Sequence, residues 1–163
     1  MVHWRDSNYG TKPGDCYADR PLAGFLTPSC LSMFDSAVGW AADNGLWVTL
    51  TSRAADAAGD GGPGHTVFTN ATLADQMVAM WRFLAMRYAD QDRIAGYEVM
   101  SEPRTAGAAT VAPFEQQACD AVKEADPRAI CFVGPAEFYD RLNLGRDWLV
   151  KNNSQVCESL TER

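Results

Sequence analysis

Three times between residues 29 and 140 the sequence passes through an amphipathic helix, a stop and a short apolar strand, and few folds other than a parallel α/β arrangement accept that beat. In the first repeat Leu31, Phe34, Val38, Ala41 and Ala42 fall at helical spacing and end at Asn44-Gly45, and residues 46–51 follow as a strand. Bulky and β-branched content of that kind suits a strand covered on both faces. The second repeat puts Leu73, Met77, Met80, Trp81, Leu84 and Tyr88 on one helical face, with Thr69 or Asn70 as its cap and residues 94–100 as its strand. In the third, Pro113 stands as the first helical residue, Phe114, Ala118, Ala121, Val122 and Ala125 form the buried stripe, Asp126-Pro127 is the stop, and residues 129–133 are the strand. Right-handed crossovers would stack the strands in parallel with their exits on one edge. In such sheets the exits are where chemistry is assembled.

The strand of the second repeat runs into Ser101-Glu102-Pro103. Proline fixes its own φ and biases the residue before it towards an extended conformation, so the Glu102 carboxylate is carried onward along the strand direction. A solvated turn Glu is the plain reading of so short a pattern, and an acid at the working edge of the sheet is the functional one. Glu98, inside the same strand, is expected to face a polar layer or another charge, because a buried carboxylate needs a partner.

The segment I-A-G-Y-E-V-M-S-E-P, residues 94–103, resembles the fourth-strand signature of the retaining β-glycosidases of clan A, family 5 in particular, the cellulase and mannanase relatives. The family form ends in Asn-Glu-Pro. The resemblance implies that Glu102 is the general acid/base and that Ser101 stands where an Asn binds the sugar 2-hydroxyl. Serine is shorter and offers a single hydroxyl donor. Arg53, at the exit of the first repeat's strand, replaces a His that helps line the sugar site; it is read as lining the site, as pairing with Glu102, or as a surface ion-pair residue. Arg5 matches by position an Arg kept near the sugar, against a plain reading as a solvated side chain. Glu137, after the third strand, is read as a sugar contact or as an acid on the rim of the site.

The implied fold class is α/β, a partial (β/α)8 TIM barrel of about three to four βα units with parallel strands. A complete barrel needs about 250 residues, and this chain has 163. With 47% apolar and 10% aromatic residues it supports one core. The expected organisation is a single incomplete domain: a long loop over 1–28 with a strand remnant near Val2 to Trp4, the βα core over 29–140, and a poorly ordered tail over 141–163. If the three strands are the family's third, fourth and fifth, the Glu nucleophile of the seventh strand is missing from this chain. On that reading the isolated chain is an inactive fragment of an O-glycosyl hydrolase, completed by the rest of the barrel or by self-association.

A net charge of −7 and a pI near 4.7 argue against a nucleic-acid or anionic-membrane partner, since both need a concentrated basic surface. Neutral carbohydrate is compatible with that charge. No cofactor and no metal are implied, since none of the five cysteines forms a C-x-x-C pair. Cys16 and Cys30 flank a Pro/Gly loop and are a candidate disulfide, while Cys119 and Cys131 read as buried thiols. Two Asn-x-Ser/Thr sequons, at Asn70 and Asn152, with the odd cysteine count, point to a secreted or extracytoplasmic protein.

Two other readings share these features. A carbohydrate-binding barrel without catalysis is favoured by Ser101 and Arg53. A nucleotide-binding doubly wound domain would use Gly59, Gly61 and Gly64, which satisfy G-x-G-x-x-G but begin several residues after the strand and include Pro63, which lacks an N–H.

Overall fold

The computed structural model describes residues 2–4, 28–53, 66–101, 103, 108–134 and 156–158. Its elements are β1 (Val2–Trp4), α1 (Pro28–Asp43), β2 (Val48–Arg53), α2 (Thr66–Thr69), α3 (Ala71–Tyr88), β3 (Ile94–Ser101), α4 (Ala108–Ala125), β4 (Ile130–Val133) and β5 (Val156–Glu158). The strands form one sheet in the order β1-β2-β3-β4-β5, every neighbouring pair parallel. A doubly wound sheet reverses its strand order at a switch point. This order advances without reversal, as the wall of a barrel does, and the described arc is part of a (β/α)8 barrel.

One face of the sheet packs against the helices. Val48 and Leu50 of β2, Tyr97 and Val99 of β3, and Cys131 and Val133 of β4 share one core cluster with Phe34 and Val38 of α1, Trp81 and Leu84 of α3, and Ala118 and Val122 of α4. Successive strand side chains point to opposite faces, so Thr51, Glu98 and Phe132 line the other side. That side is the interior of the barrel. Trp81 is fully buried and donates its indole N–H to the Val99 carbonyl at 3.1 Å, which satisfies its one polar atom and ties α3 to β3. Arg87 and the Tyr88 hydroxyl of α3 both bond the Asp35 carboxylate of α1, and this holds the two helices side by side. The Arg87 guanidinium beside Asp35 keeps that carboxyl below its usual range.

α1 stops where the sequence stops it: Gly45 adopts φ of 70°, the left-handed conformation that closes a helix without steric cost. Three expectations are corrected. α4 begins at Ala108, not at Pro113, and Pro113 lies inside the helix. The ring costs one backbone hydrogen bond there, and the apolar contacts of Val111 and Phe114 on either side outweigh it. The tail expected to be poorly ordered carries β5, which pairs with β4 in register from Cys131 with Val156 to Val133 with Glu158. Three residues in a polar stretch give no periodicity to detect.

Cys119 and Cys131 are not free thiols but a disulfide, with Cα atoms 5.7 Å apart and a sequence separation of 12. The bond joins α4 to the strand that follows it. The candidate pair Cys16 and Cys30 falls on side chains outside the described residues. Replacing Cys119 and Cys131 together by Ala should cost about 2 to 3 kcal/mol, because a short loop in the unfolded chain is released. Thermal melting of the double variant beside oxidised and reduced wild type checks this, with reduction lowering the melting temperature of the wild type by more than that of the variant.

Candidate active site

The exits of β2 and β3 meet. Arg53, the last residue of β2, is the Cα partner of Ser101, the last residue of β3, after an irregularity in register between Thr51 and Arg53. Such bulges re-aim strand ends next to sites. Two of the five site positions thus lie side by side at the carboxyl edge of the sheet, with Glu102 next in sequence after Ser101. Pro103 is buried. Glu102, Glu137 and Arg5 lie outside the described residues, as does the Gly59 to Gly64 loop, and of Arg53 only the backbone is described.

One layer below the exits the barrel interior is polar. The Thr51 hydroxyl donates to Glu98 Oε2 at 2.5 Å, and both residues are buried. This answers the expectation of an inward polar layer, and Thr51 is the partner that sequence alone could not name. His3, Thr51, Glu98, Phe132 and Cys157 share one register level across all five strands.

A second buried acid went unnoticed in the sequence. Glu115 of α4 is 0% exposed; its Oε1 accepts the Gly134 N–H at 3.2 Å, and its Oε2 has no hydrogen-bond partner among the described residues. Burial pushes its pKa well above the ordinary carboxylate range, the Gly134 hydrogen bond opposes this, and the charge of Glu98 adds to the rise. Burial therefore favours the neutral form of this group over the charged one. The signal was present: residues 115, 118, 119 and 122 repeat at helical spacing, so Glu115 lies on the buried stripe.

The opposite, amino-terminal end of the strands holds a cavity of about 450 Å³ bordered by Trp47, Ile94, Asp126 and Arg128. In parallel barrels that end serves stability, and chemistry belongs to the other. Among the described residues no group of three or more His, Cys, Asp or Glu is placed to hold a metal ion, and no helix is long and apolar enough to cross a membrane.

The family model "Cellulase (glycosyl hydrolase family 5)" matches residues 11–157. The chain belongs to glycosyl hydrolase family 5. No curated protein matches it in sequence. Among solved structures, the cellulose synthase subunit Z of Clostridioides difficile superposes with a TM-score of 0.70 at 17% identity, over 88% of this chain and 46% of that one. The endoglucanase Cel5A of the hyperthermophilic Thermotoga maritima gives 0.70 at 16% identity, over 87% and 45%. Endo-glycoceramidase II of Rhodococcus gives 0.58 at 21% identity, over 74% and 39%. These likenesses carry the family-5 fold, and the chain spans less than half the length of each of these structures.

Proposed function

We propose that this family-5 chain is part of a retaining β-glycoside hydrolase that acts on β-linked polysaccharide or oligosaccharide, with Glu102 as general acid/base. The observation that supports it is the placing of Ser101 at the end of β3, inside a parallel barrel wall of this family. Glu102 is then the first residue beyond the strand, at the end of the barrel where family-5 chemistry is expected. A retaining mechanism needs a second carboxylate about 5 to 5.5 Å away as nucleophile. On this reading it comes from a strand other than the five described. Ser101 and Arg53 bind sugar hydroxyls beside the acid, Arg53 as a fixed cation with several donors and Ser101 with one. Arg5 and Glu137 contribute further contacts from neighbouring exits. Relatives with solved structures include Cel5A in complex with cellobiose, which favours a β-linked glucose backbone as first substrate to try.

The test is the stereochemistry of the product. A protein that completes the barrel, incubated with β-1,4-glucan and with mannan, should release sugar whose anomeric proton, followed by NMR in the first minutes, is β before mutarotation. An α product would mean an inverting mechanism and would overturn the role of Glu102 as acid/base of a retaining pair. Ser101 in place of Asn, and Arg53 in place of His, favour one second reading, a barrel that binds carbohydrate without cutting it. Binding with no hydrolysis of any β-glycan would select it.

A further inference from the structure

Glu115 lies on α4, behind the sheet, and plays no part in the chemistry proposed for Glu102. Its surroundings nevertheless concern the site directly. Phe114 clusters with Met100, next to last in β3, together with Val67 and Met77. Its ring meets Phe68 edge to face at 5.8 Å. The next residue, Glu115, bonds the backbone N–H of Gly134, the first residue after β4. Adjacent residues of one helix thus hold the ends of adjacent strands. Glu98 with Phe132 is the last recorded pair between β3 and β4, and Gly134 follows two residues after Phe132.

We infer that Glu115 is a positioning residue of the active site: its buried carbonyl oxygen fixes the backbone at the exit of β4, and thereby fixes where the segment leading to Glu137 starts relative to Ser101 and Glu102. No other described side chain bonds the Gly134 amide, and a buried backbone N–H left unpaired would move to find water. A carboxyl group with no exposure is also costly to keep, so a residue of this type on the core stripe of α4 is explained by the bond it makes to Gly134. The disulfide between Cys119 and Cys131 anchors the same helix to the same strand one turn further on, so β4 is held to α4 both along the strand and at its exit. The catalytic consequence rests on the reading of Glu102 as acid/base. The structural part does not.

The experiment compares Glu115→Gln and Glu115→Leu with wild type in a protein that completes the barrel, reading two quantities. Gln retains a carbonyl acceptor of the same length as the neutral acid, and Leu retains the volume without the acceptor. Hydrogen exchange at the Gly134 amide, followed by NMR, should quicken about tenfold or more in the Leu variant and stay near wild type in the Gln variant. Hydrolysis of the same β-glycan should fall by about tenfold to a hundredfold in kcat with Leu, with KM changed much less, because a displacement of about 1 Å near the chemistry costs that much. Unchanged Gly134 exchange in the Leu variant overturns the inference. Equal losses in Gln and Leu also overturn it, since the acceptor would then not be what matters. Faster exchange without any change in kcat would leave a structural bond and remove the positioning role. If the wild-type protein cuts no glycan, the exchange measurement still decides whether Glu115 holds Gly134, and it is the reading of Glu102 that fails.

Discussion

Replacing Glu102 by Gln in a protein that carries the whole barrel is expected to lower kcat/KM on β-1,4-glucan by about 10²- to 10⁴-fold, the range that a positioned proton donor supplies. Gln is nearly isosteric with the protonated acid but has no proton to give, so binding should persist and KM should change little. The dependence on leaving group separates this from damage to the fold. An aryl β-glycoside with a strongly acidic phenol departs without protonation, and its kcat/KM should fall far less than that of the glucan. With such a substrate the first step stays fast while the second, in which the same residue acts as base on water, becomes slow. A small anion such as azide needs no base and should restore turnover, giving a glycosyl azide. Equal losses on glucan and aryl glycoside, without rescue by azide, would remove the acid/base role. Ser101 enters here too: if it only stands in for an Asn contact to the 2-hydroxyl, Ser101→Ala should lower both substrates alike.

Much of the fold was legible because its signals are long. α1, α3 and the strands β2, β3 and β4 each combine a periodic apolar pattern with a local stop, and the structure reproduces them within two residues at most ends. What stayed hidden depended on pairing across the chain. Pro113 reads as a helix start when local rules alone apply, yet helix contacts on both sides of it extend α4 back to Ala108. β5 has three residues and exists as a strand through β4, and Cys119 meets Cys131 only once α4 folds back on β4. At the candidate site, the strand-exit rule placed Ser101 and Arg53 correctly on neighbouring exits. Thr51 as partner of Glu98, and Glu115 as holder of Gly134, are contacts between elements 47 and 19 residues apart, and no local pattern encodes them.

Gly96→Ala is expected to destabilise the chain by about 3 kcal/mol or more, a large effect for the addition of one methyl group. Gly96 sits in the middle of β3 and is the Cα partner of Ile130 in β4. A Cβ built on it would lie 2.0 Å from the Ile130 carbonyl oxygen, 2.8 Å from the Ile130 carbonyl carbon and 2.9 Å from Phe132 Cε2. The ring could swing aside; the carbonyl cannot, because it belongs to the neighbouring strand's backbone. Relief therefore requires β3 and β4 to separate just where their pairing begins. The lowered melting temperature, roughly 6 to 12 °C for a domain of this size, is one readout. The other is position: strands forced apart at Gly96 also shift β4 against β3 further along, where Ser101 and Gly134 leave the sheet. The Ala variant should accordingly lose kcat on β-glycan even at temperatures where it remains folded. Gly39, on α1 with open space around its missing side chain, supplies the control. Gly39→Ala adds the same methyl group to a helix that favours it, and should leave activity unchanged and stability equal or slightly higher. A Gly96→Ala protein as stable as the Gly39→Ala one would mean that β3 and β4 do not approach as closely as this strand pairing requires.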